Sequence, residues 1–308
     1  MLVDYAGEDG ESGVTVNLAS STATDSFGDT DTLHGVTHVI GTRQDDHFIG
    51  DATDDFFNPS DGVDAIDGGD GSDTLYLFDA WFSGGAGDDI FNGSEVAKDT
   101  VDYSLDVIGG GLHGVTVNLE TGQATDGFGD HDTLNSIDNI TGTQFADMIF
   151  GNSDGNRLEG GAGNDTISGG AGADVIVGGL GADIMQAGLL GSAHSDFAQD
   201  TFIFNSVAEI GKGKHHDKIF DFEVGFGGDI VDLTAIDANS HRHGNQDFKD
   251  IFADHFHHKA GELRVVINGA VARIEGDVNG DGKADFQLDV QSGFNFSTDN
   301  LHGIIPVN

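Results

Sequence analysis

Residues 160–186 read GGAGNDTIS, GGAGADVIV and GGLGADIMQ, three nonapeptides from Gly160 to Gln186 in unbroken register. The first two positions of each are glycine and so is the fourth; the sixth is Asp165, Asp174 or Asp183, and the eighth is Ile167, Ile176 or Met185. Glycines at these places permit positive φ and close backbone approach, so the turn can aim its carbonyl oxygens at one point, where the aspartate adds a carboxylate. Residues seven to nine then suit a short strand with one inward apolar side chain. A single unit cannot bury that side chain, but stacked turns bury it as a continuous column.

The register extends outward. GTQFADMIF from Gly142 and GNSDGNRLE from Gly151 precede these three, and a first array from Gly41 reads GTRQDDHFI, GDATDDFFN, PSDGVDAID and GGDGSDTLY, then, after a seven-residue break, GGAGDDIFN from Gly84. Across the ten units the sixth position is Asp46, Asp55, Asp64, Asp73, Asp89, Asp147, Asn156, Asp165, Asp174 or Asp183. The eighth is always apolar: Phe48, Phe57, Ile66, Leu75, Phe91, Ile149, Leu158, Ile167, Ile176 or Met185. In a chain that is 37% apolar, this would arise by chance roughly once in twenty thousand trials.

A longer repeat frames the short one. VDY at Val3 recurs at Val101, GVTVNL at Gly13 recurs at Gly114, and ATDSFGDTDTL at Ala23 recurs as ATDGFGDHDTL at Ala124. Each array thus has the same preface. The alternation of Val14, Val16 and Leu18, and of Val115, Val117 and Leu119, reads as a half-buried strand, and the prefaces are expected to form wider coils of the same solenoid. Asp29, Asp31, Asp130 and Asp132 read as solvated turn carboxylates, with a cation-binding role as the alternative.

The 308 residues carry 54 acidic and 12 basic side chains, a net charge of −42. Such a charge repels nucleic acid and anionic membrane surfaces and opposes compaction, so the folded chain should hold neutralising cations. Calcium, which takes six to eight hard oxygen ligands, fits best. The absence of cysteine excludes disulfides and thiolate zinc sites. The opening MLVDYAGEDGESG has no signal-peptide pattern, and no apolar run is long enough to span a membrane.

The units match G-G-x-G-x-D-x-U-x, and the chain thereby resembles the RTX family of calcium-binding repeat proteins. The resemblance implies an all-β chain: a right-handed parallel β-roll followed by a β-rich C-terminal capping domain. It also implies two nonapeptides per coil, with Ca2+ between the glycine-rich turns of units n and n+2. The ligands would come from Asp46, Asp55, Asp64, Asp73, Asp89 and Asp147, and from Gly161, Gly163 and Asp165, Gly170, Gly172 and Asp174, and Gly179, Gly181 and Asp183. Gly160–Ser168 with Gly178–Gln186 should give the best site. Units without paired glycines, such as PSDGVDAID and GNSDGNRLE, are the weakest candidates.

Composition shifts near Gly191: nine of the twelve basic residues and nine of the fourteen histidines follow it. The expected segments are therefore 1–100 and 101–190, each a preface with its array, and a C-terminal β-domain over 191–308. DTFIF from Asp200, DKIFDF from Asp217 and GDIVDL from Gly228 read as strands, and Asn268-Gly269 as a type I′ hairpin turn. This part resembles the C-terminal domain of serralysin-type secreted metalloproteases and, more loosely, the repeat modules of mannuronan C5-epimerases. By that resemblance the terminal LHGIIPVN is an uncleaved type I export signal, which implies a secretion apparatus as partner and an extracellular location. DVNGDGKADF places Asp277, Asn279, Asp281 and Asp285 as in an EF-hand loop, but Leu288 stands where a bidentate glutamate belongs, so a calcium site and an acidic turn are equally open.

Catalytic machinery is not evident. No histidine is followed by glutamate, which excludes HExxH, and no D-P-H occurs. Gly151-Asn152-Ser153-Asp154-Gly155 satisfies G-x-S-x-G by letters but lies in register with the nonapeptides. The histidines from His241 to His258 read as surface groups rather than a transition-metal site, and Trp81 with Phe82 as a buried plug where the register slips. The expectation is a noncatalytic module whose folding is driven by calcium, with an extracellular adhesin or symbiosis factor that binds glycans or cell surfaces as the alternative.

Overall fold

The structure, a computed structural model, describes residues 1–308 except Glu11, 61–63, 77–80, 94–97, 189–197, 226–227, 252–254 and 293–308. The terminal LHGIIPVN lies outside the described residues. The chain is nearly all β, with 4% helix, and divides into two compact units, Met1–Thr143 and Gln144–Asn308.

In the first unit, strands of three to five residues stack in parallel in two sheets. One sheet carries Leu2–Asp4, His38–Ile40, Phe56–Asn58, Thr74–Tyr76, Ile90–Asn92 and His131–Asn135. The other carries Thr15–Asn17, His47–Ile49, Ala65–Asp67, Trp81–Ser83, Thr100–Asp102 and Asn139–Thr141. Within the arrays the register advances by two nonapeptides per coil, as in Val39 beside Phe57 and Phe48 beside Ile66. Successive strands alternate between the sheets, so every eighth-position side chain of this unit enters one column. All ten of the chain are buried, and Phe48 stacks on Phe57 with ring centroids 5.6 Å apart. Each such burial contributes about 1.5–3 kcal/mol.

The break in the first array is absorbed without a break in the column. Phe82 lies between Ile66 and Val101 and is 1% exposed, so it fills an eighth position in a coil shortened by two residues.

The prefaces are not simply wider coils. In each, the VDY strand joins the parallel stack, and GVTVNL opens an antiparallel meander: Thr15–Asn17, Thr22–Thr24 and Thr30–Thr32 in the first, Thr116–Asn118, Gln123–Thr125 and His131–Asn135 in the second. The intervening turns are too short for a crossover, so the chain reverses beside its own strand.

In the second unit, Met148–Phe150, Thr166–Ser168, Ile184–Gln186, Lys218–Phe220 and Phe286–Gln291 form one parallel stack. Arg157–Ala162, Val175–Leu180, Thr201–Ile203 and Ile230–Asp232 form the other. The composition break near Gly191 is therefore not a break in the stack, since the strands after it continue the same two sheets. Antiparallel pairing begins at Phe286–Gln291, which takes Val271–Asp277 and then Glu262–Asn268 as neighbours. The hairpin turn is Gly269-Ala270 rather than Asn268-Gly269, because Asn268 pairs with Val271 and Gly269 alone has positive φ. Two of the late basic residues serve this sheet: Arg273 grips Asp289 through two bonds of 2.6 and 2.8 Å, and Arg264 pairs with Glu275 while lying 4.6 Å from the Phe256 ring.

Candidate calcium sites

The sixth-position residues are all buried, from 0 to 3% exposed. A buried carboxylate is costly unless it is hydrogen-bonded and its charge is balanced. Half of that need is met by the backbone one coil away. Asp165 Oδ1 accepts the Asp147 amide at 2.9 Å, Asp183 Oδ1 accepts the Asp165 amide at 2.9 Å, and Asp64 and Asp73 accept the amides of Asp46 and Asp55 at 2.7 Å. The aspartates thus form ladders along the stack, each joining one turn to the next.

The ladders run beyond the nonapeptides. Asp132 accepts the Asp89 amide at 3.1 Å, Asp200 accepts that of Asp174 at 2.7 Å, Asp217 that of Asp183 at 2.7 Å, and Asp229 that of Asp200 at 3.0 Å. Reading in nines misses these four because loops of other lengths precede them. A shorter signal finds them: aspartate, any residue, then a buried apolar one, as in Asp132-Thr133-Leu134, Asp200-Thr201-Phe202, Asp217-Lys218-Ile219 and Asp229-Ile230-Val231. Asp132 is therefore a buried ladder member and not a solvated turn carboxylate, whereas Asp29 and Asp31 are exposed.

The other carboxylate oxygen is where charge is left over. Oδ2 of Asp73, Asp89, Asp165, Asp183 and Asp217 is buried and has no hydrogen-bond partner. Burial, reinforced by neighbouring carboxylates, pushes the pKa of Asp183 up to about 6, those of Asp73 and Asp165 to about 8, and those of Asp89 and Asp217 to about 9. These oxygens lie against the first glycine of their own unit: a Cβ on Gly68, Gly84, Gly160 or Gly178 would run into the carboxylate of Asp73, Asp89, Asp165 or Asp183.

The glycine turns supply the remaining oxygens. Gly161 pairs with Gly179 and Gly163 stands against Gly181, so closely that a Cβ on Gly179 or Gly181 would strike the carbonyl of Gly161 or Gly163. Gly179 has φ +94° and Gly163 +141°, conformations that favour glycine. Gly170 and Gly172 lie in the same way over residues 152 to 155, where Asn156 replaces the aspartate and receives the Asn152 amide at 2.9 Å. Among the described residues no three His, Asp or Glu side chains gather as a metal cage. One carboxylate per turn with stacked backbone carbonyls is the donor set instead, all hard oxygen, and it fits Ca2+ rather than a nitrogen- or sulfur-seeking metal.

The remaining candidates behave otherwise. Asp277 accepts the amides of Gly280 and Gly282 at 2.6 and 2.8 Å, Asp285 those of Val278 and Asn279 at 2.9 and 3.2 Å, and Asp281 that of Lys283 at 2.9 Å. Asn279 turns its amide group to Asp285 at 2.8 Å, and Leu288 is fully buried. These bonds close the loop and fit an acidic turn and a calcium loop alike. His257 leans on Glu262 at 3.1 Å and His255 on His257, their ring centroids 5.5 Å apart. Ser153 lies in a bend, with no strand-to-helix elbow around it.

Stacked parallel coils with aspartate ladders and glycine turns define a calcium-binding β-roll. Residues 35–66, 81–95 and 150–185 match the RTX calcium-binding nonapeptide repeat in four copies, and repeats of this kind bind Ca2+ at multiple sites. No curated protein matches the chain. Among solved structures, the AlgE6R2 subunit of the Azotobacter vinelandii mannuronan C5-epimerase is similar at 23% identity and TM-score 0.37, over 55% of this chain and 94% of that one. The AlgE6R3 subunit of that epimerase is similar at 19% identity and TM-score 0.34, over 53% and 78%. The extracellular lipase LipA of Serratia marcescens is similar at 16% identity and TM-score 0.29, over 90% of this chain but only 41% of the lipase.

Proposed function

We propose that this calcium-binding module is noncatalytic and secreted, that it leaves the cell unfolded through a type I secretion apparatus, and that extracellular calcium then drives its folding. The observation that carries this reading is the set of buried carboxylate oxygens without partners in a chain of net charge −42. In calcium-poor cytosol these carboxylates repel one another and the glycine turns gain nothing by ordering, which suits export of an open chain. Outside, Ca2+ supplies the missing charge at each turn. The residues that would hold it are Asp73 with Asp89 and the turns at Gly69 and Gly85, and Asp165 with Asp183 and the turns at Gly161 and Gly179. Calcium modules of the extracellular kind have dissociation constants near 10⁻⁴ to 10⁻³ M, and a site at ten times its constant adds only about 1.4 kcal/mol. Folding therefore needs several sites filled together, which the ladder geometry favours because each aspartate orders the turn before it.

The test is far-UV circular dichroism during a calcium titration of chelator-stripped protein, with magnesium as control. A cooperative rise of β-signal at submillimolar to millimolar calcium, absent with magnesium, is expected. A full β-spectrum in excess chelator at neutral pH or above would refute the folding switch.

A further inference from the structure

The second preface contains a carboxylate group that the nonapeptide pattern does not include. Asp106 opens the short helix Asp106–Gly109 and is 2% exposed; Asp126, in the turn of the meander, is 1% exposed. Asp106 Oδ2 accepts the Gly127 amide at 2.9 Å, and Asp126 Oδ1 accepts the amides of Phe128, Gly129 and Asp130 at 3.0, 2.7 and 2.7 Å. The remaining oxygens, Asp106 Oδ1 and Asp126 Oδ2, are buried and have no partner. Asp132 pairs across the meander with Ala124, two residues before Asp126, and is 1% exposed. Behind them the buried Tyr103 donates to Asp132 Oδ2 at 3.0 Å. Gly127 is part of the cradle, since a Cβ there would press on the Asp106 carboxylate at 2.9 Å.

The first preface provides an internal comparison. Tyr5 stands where Tyr103 does, Asp25 where Asp126 does, and Ser26 where Gly127 does. Glu8 takes the part of Asp106, but one of its oxygens receives both the Ser26 amide and the Ser26 hydroxyl, at 2.9 and 2.7 Å. Asp31, in the place of Asp132, is exposed. The second preface has a glycine in place of that hydroxyl, buries its third carboxylate, and leaves two oxygens facing no donor.

Two buried carboxylates with free oxygens and a third charge beside them call for a cation. We propose that the second preface holds a calcium site of its own, outside the nonapeptide repeats, with Asp106 and Asp126 as ligands and Asp132 and Tyr103 at its back. Since no three acidic side chains form a ready cage among the described residues, backbone carbonyls and water complete the shell, as the coordination habits of Ca2+ allow. The proposal rests on the module being calcium-binding and adds one ion to it, at the junction where the first array meets the second meander.

The experiment uses the full chain. Bound calcium is counted by equilibrium dialysis for the wild type and for the double variant Asp106→Asn with Asp126→Asn, which keeps an acceptor for each amide. In parallel, terbium replaces calcium, and its emission sensitised by aromatic excitation is compared between the wild type and Tyr103→Phe. The double variant should bind one calcium ion fewer while keeping the calcium-induced β-signal, and Tyr103→Phe should lose a distinct part of the terbium emission. An unchanged calcium count in a folded double variant overturns the proposal; if that variant does not fold, unchanged emission from Tyr103→Phe overturns it. A wild type that binds no calcium would instead sink the reading of the repeats themselves.

Discussion

Asp165 bonds the turn before it through Oδ1 and keeps Oδ2 in a buried spot beside Gly160. The first role needs an oxygen, the second needs a charge, and Asp165→Asn separates them. The variant keeps an acceptor for the Asp147 amide but loses the anion, so we expect it to need several times more calcium to reach its folding midpoint, read by circular dichroism. Asn156 already stands at a sixth position: its Oδ1 accepts the Asn152 amide of its own unit and its own amide bonds Asp174 one coil on, so this coil stacks without offering a carboxylate. Gly179→Ala should fail for a different reason. Its φ of +94° costs an L-residue roughly 1–2 kcal/mol, and its Cβ would strike the Gly161 carbonyl. Loss of stability in saturating calcium, measured by denaturant titration, is the expected result.

At the scale of the element, a strand of three residues has little stability alone and depends on the coil above and below. Ile167 sits between Ile149 and Met185 in the column and is fully buried. Ile167→Ala is expected to cost about 2–5 kcal/mol by urea unfolding in calcium, because a column packed on both sides cannot collapse into the gap. The same dependence explains which elements could be read in advance. The nonapeptide strands and GVTVNL were legible because their apolar residues recur at fixed positions. The meanders were not, since ATDSFGDTDTL has no period that distinguishes a reversal from a wider coil. The strands after residue 200 were legible as strands but not as coils of the roll, because the glycines that announce a coil are gone and only the aspartate and the apolar residue two places on persist.

Across the whole molecule, the proposed calcium sites make proton and calcium competitors for the same carboxylates. Burial, with the neighbouring charges, raises the pKa values of Asp55 and Asp183 to about 6, of Asp106 and Asp132 to about 7, of Asp73 and Asp165 to about 8, and of Asp89 and Asp217 to about 9. A folded-state pKa above the unfolded value near 4 means that the metal-free fold binds more protons than the open chain. Its stability is then fully present below about pH 4 and lost as pH rises through 6 to 9. Chelator-treated protein should therefore lose β-signal between pH 5 and pH 9, and saturating calcium should flatten that dependence. A metal-free chain whose β-signal is unchanged across this range would show that the carboxylates are not held as described.

Read as letters, the chain already contains its repeat length, its inward column and its glycine turns, because all three are local and follow from residue types repeated at a spacing of nine; two repeats per coil and calcium between the turns were what the resemblance implied. Partner choice at longer range is not local. Asp132, Asp200, Asp217 and Asp229 became ladder members only through the folding of loops of unequal length, which bring each carboxylate to an amide 26 to 43 residues away. The pairing of Asp106 with Asp126 likewise depends on a short helix and a meander turn meeting in space. Periodicity records what every coil must repeat, whereas packing alone decides which unrepeated residues end up buried beside one another with charge to spare.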